Sequence, residues 1–176
     1  MKKAAIICLF TKDRKNILVV KRSDVPVWVL PGGGIDDNET AEKAACRELF
    51  EETGVKGVIT RKVATYYPVN CLSQETHLFE CSHESGIPSI QEETVDVAFF
   101  SIDSLPQPFF FLHKEWIFDA LKNNSAPIEQ KLTQLSWLKV FVYIIRHPYL
   151  MCRYFLSRAG IPINSKPSYN RDNKIG

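Results

Sequence analysis

The sequence predicts a mixed α/β domain followed by a C-terminal helical extension. Three observations carry this expectation. Short apolar and β-branched runs bounded by turn residues recur through residues 1–124 and surround one stretch of strong helix formers at 40–53. No regular βαβ repeat orders them, so the sheet is expected to be mixed. Beyond residue 127 the apolar residues change to helical spacing and the charge changes sign. Residues 1–127 hold 14 Lys and Arg against 18 Asp and Glu, whereas residues 128–176 hold 8 against 2. The expected division is therefore a domain at 1–124 and a basic helical extension at 125–176, with either a second job or an attachment surface in the extension.

Residues 4–10 and 17–20 read as two strands of a hairpin across the polar segment 12–16. Pro31, Gly32, Gly33 and Gly34 break any regular element. Thr40 is placed to N-cap a helix and Gly54 to stop it. Residues 58–67, 76–81 and 95–102 read as further strands, Leu105 and Pro106 close that series, and 112–121 reads as a short helix. Leu132, Leu135, Leu138, Phe141, Val142 and Ile145 then recur at helical spacing until His147 and Pro148 interrupt. Residues 149–159 can form a second helix stopped by Gly160 and Pro162, and the polar stretch from Asn164 is expected to fray.

Several classes are disfavoured by the same residues. A composition 45% hydrophobic and 24% charged is neither disordered nor fibrous. The apolar run at 4–10 is short for a signal-peptide core, and no stretch of 18 uncharged apolar residues exists. Five cysteines, an odd number without a CxxC pair, argue against a disulfide framework. A reducing cytoplasm is the expected location. Cys71, His77, Cys81 and His83 match no standard zinc spacing, and strand alternation accounts for them.

The chemistry is concentrated in residues 32–55. On a helix starting near Thr40, Glu48, Glu51 and Glu52 fall within about 100° of arc. Ala41, Ala45, Cys46, Leu49 and Phe50 are expected to anchor the other side in a core. Three crowded carboxylates repel one another, and near the helix C-terminus the macrodipole also disfavours them. A divalent cation offsets both costs, and an oxygen-only donor set suits Mg²⁺, with Mn²⁺ as a substitute. The glycines just before the helix let backbone approach a ligand closely. The bland alternative is a solvated acidic helix face.

Spacing favours the first reading. Gly33, Glu39, Arg47, Glu48, Leu49, Glu51, Glu52, Gly54 and Val55 meet every position of G-x5-E-x7-R-E-U-x-E-E-x-G-U, where U is a bulky aliphatic residue. The stretch therefore resembles the signature of the Nudix hydrolases, and the resemblance covers about residues 1–124. It implies the Nudix fold, a mixed β-sheet sandwiched between helices. It also implies Mg²⁺-assisted attack of water on phosphorus in a nucleoside diphosphate linked to another moiety, of the nucleoside triphosphate or nucleotide-sugar class.

Carried over residue by residue, the resemblance makes Glu48 and Glu52 metal ligands, Glu51 a ligand directly or through water, and the Gly32 carbonyl a further ligand. Arg47 would orient the glutamates by ion pairing, and Glu39 would shape the loop before the helix. The general base lies either in the box or at Glu92 or Glu93, with Asp96 a weaker choice. Arg22, Trp28 and Gly33 are candidates for substrate contact, although Trp28 is equally a packing residue. Tyr66 and Tyr67 stand where some relatives place selectivity residues. The alternatives are a Nudix-fold nucleotide-binding or regulatory module without turnover, and an RNA 5′-end pyrophosphohydrolase. An isopentenyl diphosphate isomerase shares the fold, but needs a Cys/His metal site and a catalytic cysteine that this chain does not clearly offer. For residues 137–155 three partners stay open: the domain itself or a homodimer partner, an anionic membrane surface giving peripheral association, and RNA.

Overall fold

The computed structural model describes residues 2–71, 73–135, 142, 145–159 and 161. Among the described residues, eight strands and three α-helices follow in the order β1 (Lys3–Leu9), β2 (Asn16–Arg22), β3 (Trp28–Val29), β4 (Gly32–Gly34), α1 (Ala41–Thr53), β5 (Lys56–Tyr67), β6 (Glu75–Ser85), β7 (Thr94–Ser101), α2 (Phe111–Leu121), β8 (Ile128–Lys131) and α3 (Pro148–Arg158). A five-stranded sheet has the order β4-β1-β6-β5-β8, and a three-stranded sheet has the order β3-β2-β7. Pairing in the larger sheet is mixed. β1 runs parallel to β6 and antiparallel to β4, β5 runs antiparallel to β6, and β8 lies parallel to β5.

Strand β1 is buried on both faces, which explains its unbroken apolar run. Ala5, Ile7 and Leu9 pack with Ala44, Ala45 and Leu49 of α1. Ile6, Cys8 and Phe10 point the other way, into a cluster holding Leu112, Trp116, Ile117 and Ala120 of α2. The period-2 alternation of one strand thus serves two cores, with a helix over each. Helix α1 begins where Thr40, in an extended conformation, accepts the Lys43 amide at 3.3 Å. It ends at Gly54, whose φ of 72° is left-handed and whose amide returns to the Phe50 carbonyl at 2.8 Å.

The structure differs from expectation at several places. β1 and β2 do not extend into a hairpin ladder: they belong to different sheets, and only the turn end is paired, by a bridge between Phe10 and Ile17 and by the Thr11 amide donating to the Asn16 carbonyl at 2.9 Å. Both faces of β2 are buried, so β2 finds its ladder with β7 and β3 instead. Ile128–Lys131, expected within the helical extension, is a strand paired with residues 64–67, and Leu132 behind it is 1% exposed in the α2-side core. Only the second expected helix is fully described, as α3. Residues 136–141 and 143–144, which carry most of the first expected helix, and the tail from 162 lie outside the described residues. No described helix is long and apolar enough to cross a membrane.

Candidate active site

An open cleft of about 630 Å³ lies where β4, the last two turns of α1 and the loop before β7 converge. β4 contributes Gly32, Gly33 and Gly34; α1 contributes Arg47, Glu48, Phe50, Glu51 and Glu52; the loop contributes Gln91, Glu92 and Glu93. Arg22, at the end of β2, completes the lining. The convergence follows from backbone bonds. The amide of Ser89 donates to the Thr53 carbonyl at 2.8 Å, and the Thr94 hydroxyl donates to the Glu52 carbonyl at 3.3 Å, so the loop wraps the end of α1.

Glu52 is only 5% exposed, and its Oε2 accepts the Gly32 amide at 2.9 Å. Burial pushes its carboxyl up to about 7, against the Gly32 amide and the Arg22 charge, and the charges of Glu48 and Glu93 add to the rise. Glu48 is raised as well, first by burial, with the neighbouring Arg47 opposing. Its carboxylate occupies the space beside Gly33, where a Cβ would stand 2.5 Å from Oε1. Glu51 is more exposed and bonds Arg47 Nη1 at 3.0 Å.

Arg47 is the hub of these acids. Its Nε and Nη2 fork onto Glu39 at 3.1 and 2.9 Å, its Nη1 reaches Glu48 at 2.9 Å as well as Glu51, and its Nη2 also donates to the Gly34 carbonyl at 3.0 Å. Those bonds hold the Glu39 carboxyl below its ordinary range. A planar five-donor cation can serve so many acceptors at fixed angles, which an ammonium cannot. Arg22 is engaged differently: its Nε and Nη2 fork onto Asp24 at 2.9 and 2.7 Å. Burial alone would raise the Asp24 carboxyl, but that fork outweighs it and holds the group below the usual range.

Among the described residues, no group of three or more His, Cys, Asp or Glu side chains is gathered as ready-made metal ligands. Arg47 draws Glu48 and Glu51 to itself, while the Gly32 amide takes Glu52. The donor set nevertheless fits a hard divalent cation. It is oxygen-only, the three carboxylates of α1 line one cleft, and among the described residues the carboxylate of the buried one has a single hydrogen bond to set against its desolvation.

Of the residues singled out in the sequence, the cleft collects Arg22, Gly32, Gly33, Arg47, Glu48, Glu51, Glu52, Glu92 and Glu93. Trp28 is not among them. It is 5% exposed and packs edge-on against Phe100 with centroids 5.0 Å apart, because β3 turns it into the core. Tyr66 is also a core residue, stacked on Trp116 and donating to Asp119 at 2.8 Å. Tyr67 and Asp96 do not line the cleft either; Asp96 pairs with Lys21 on the β2–β7 ladder. Phe50, expected in the core, is 48% exposed at the cleft with Lys56 Nζ 5.7 Å from its ring centroid. Gln91 and Asp24 carried no signal in the sequence beyond polarity.

Comparison with known proteins agrees with this geometry. At 46% identity over 74 residues, the chain resembles a Bacillus subtilis (strain 168) protein named "Putative 8-oxo-dGTP diphosphatase", across 42% of this chain and 49% of that one. It is 34% identical over 79 residues to mouse diphosphoinositol polyphosphate phosphohydrolase 3-alpha, across 44% and 48%. The chain thus spans about half the length of these curated relatives. The crystal structure of an ADP-ribose pyrophosphatase from Streptococcus suis 89-1591 superposes with a TM-score of 0.60 over 74% of this chain and 98% of that one, at 24% identity, a likeness of fold. The description of the NUDIX domain itself matches residues 1–120, from the first strand through α2, and so takes in the whole cleft: the chain belongs to the NUDIX domain family.

Proposed function

We propose that the chain is a Mg²⁺-dependent pyrophosphohydrolase that cleaves a nucleoside diphosphate linked to another moiety, with water attacking phosphorus. The observation that carries this reading is the single cleft shared by the glycine strand, three helix carboxylates and two arginines. Glu48, Glu51, Glu52 and the Gly32 carbonyl would hold the metal. When bound, Mg²⁺ supplies Lewis-acid polarisation of a phosphoryl oxygen and a lowered pKa for water.

The chain's own residues supply the rest. Arg47 holds Glu48 and Glu51 in register through its Nη1. Arg22 is the cation for the substrate phosphates, since among the described residues its Asp24 fork uses Nε and Nη2 and no hydrogen bond engages Nη1. Glu93 takes the proton of the attacking water on its carboxylate, from the loop opposite α1. The glycines of β4 keep that wall low enough for a phosphate chain to approach backbone.

Phosphate release tests this reading, in Mg²⁺, in Mn²⁺ and in chelator. The panel takes nucleoside triphosphates, nucleotide sugars, dinucleotides and triphosphorylated RNA, together with the 8-oxo-dGTP, ADP-ribose and diphosphoinositol polyphosphate that name the relatives. A metal-dependent product supports the hydrolase. Silence from folded protein, alongside tight nucleotide binding, turns the reading to a binding module. Association through the C-terminal helices is a separate proposal, supported by the exposure of Tyr149 and Phe155 on α3 and tested by size-exclusion chromatography.

A further inference from the structure

Helix α3 lies outside the family match, yet it meets the cleft through one short turn. Pro148, Cys152 and Phe155 face solvent, while Leu150, Arg153, 5% exposed, and Ser157 face the protein, so a charged side chain is buried on the same side as an apolar one. Burying a guanidinium is costly unless its donors are matched. Arg153 Nε donates to the Asp24 carbonyl at 2.9 Å, Nη2 to the Ser23 carbonyl at 2.9 Å and Nη1 to the Tyr149 hydroxyl at 3.1 Å. The Ser157 hydroxyl adds a bond to Asp24 Oδ2 at 3.3 Å.

The same two loop residues face the cleft from their other side. The Asp24 carboxylate forks Arg22, and the Ser23 amide donates to the Glu93 carbonyl at 3.1 Å. One turn therefore joins α3 to the Arg22 cation and, through the Glu93 backbone, to the loop opposite α1.

We propose that Arg153 is a positioning residue: by fixing the backbone of Ser23 and Asp24 it sets Arg22 in the cleft, so that α3 is part of the working enzyme. This rests on the reading of the cleft as a phosphoanhydride site. An arginine that binds phosphate in ground and transition states alike acts mainly on KM, so loosening its support raises KM more than it lowers kcat.

The test uses the full chain as wild type, Arg153→Gln, Arg153→Lys, Ser157→Ala, Arg22→Lys and the double variant Arg153→Gln with Arg22→Lys. Amide exchange is followed by NMR, binding of magnesium pyrophosphate by calorimetry, and kinetics on the panel's best substrate. In Arg153→Gln, exchange at Ser23 and Val25 is expected to quicken about tenfold while β1 and β6 stay protected. The pyrophosphate Kd and the substrate KM are expected to rise about tenfold with kcat within about threefold, and little further in the double variant, because both changes act through Arg22. Arg153→Lys, with the charge but not the fork, recovers part of the effect. Should Arg153→Gln not fold, Ser157→Ala gives the same pattern at about threefold.

Unchanged exchange at Ser23 in a folded variant overturns the clamp. Faster exchange with unchanged Kd and KM overturns its link to the cleft. A wild type inert on the whole panel sinks the hydrolase reading instead, and the exchange and pyrophosphate results still decide the role of Arg153.

Discussion

The Gly32 amide and Glu52 Oε2 meet at 2.9 Å, tying the glycine strand to the last turn of α1 across 20 residues of chain. Glutamine at position 52 keeps an oxygen for that amide and removes the charge that burial penalises. Glu52→Gln is therefore expected to melt no lower than wild type in chelator, yet to lose about two to three orders of magnitude in metal-dependent turnover. Unchanged turnover would remove Glu52 from the metal set.

The two neighbouring glycines are expected to fail in different ways. Gly32 has a φ of 144°, and a Cβ there would meet the Ala5 carbonyl oxygen and the Ile6 Cα, both backbone. Gly32→Ala should cost about 2–4 kcal/mol of stability and give little folded protein. At Gly33 the obstacle is the Glu48 carboxylate, the far end of a flexible side chain. Gly33→Ala should fold, displace Glu48 and weaken Mg²⁺ binding about tenfold or more, read by metal titration of activity. Equal melting points and equal metal affinity for the two variants would defeat the distinction.

Glu92 and Glu93 both line the cleft, but Glu93 alone is tied to the Arg22 turn through its carbonyl. Glu93→Gln is expected to lower kcat about 10²-fold or more with KM little changed, whereas Glu92→Gln stays within about threefold. Parallel steady-state kinetics decide it, and the reverse order would move the base to Glu92.

His113 is buried on α2, accepts the Leu30 amide on Nδ1 at 2.9 Å and stacks on Trp116. Burial first, and the Arg22 charge second, lower its pKa from 6.5 to about 3. Between those values the unfolded chain binds a proton that the native one does not, so stability rises with pH and is lost as pH falls below about 6.5. The expected loss from this group between pH 7 and 5 is about 2 kcal/mol. His113→Asn, which keeps an acceptor for Leu30, should flatten that part of the curve in urea unfolding whatever its own stability. A slope retained in the variant would assign it elsewhere.

Helix α1 was legible because its signals are local. Thr40, Gly54 and the spacing of three glutamates state both the element and its chemical face within 15 residues. Pairing was not, because it depends on partners distant in the chain: β1 and β2 look like a hairpin until β7 and β6 claim them. Aromatic residues were ambiguous for another reason. Trp28 and Tyr66 have the bulk and polar tip that suit either a ligand or a core, and only burial separates the two. Phe50 shows the converse, an apolar helix residue left half in solvent at the rim of the acidic cleft. Arg22 could be proposed from its place after a strand, but Asp24, Ser23 and Arg153 become its support only in three dimensions.

The four residues of β8 also have a protective effect. They satisfy the outer amides and carbonyls of residues 64–67, a run of Ala, Thr, Tyr and Tyr well suited to recruiting another strand. A chain cut at the end of the family match would bare that edge and empty the place of Leu132 together. Its aggregation would then be strand-on-strand, and adding back residues 121–135 would cure it without any part of α3.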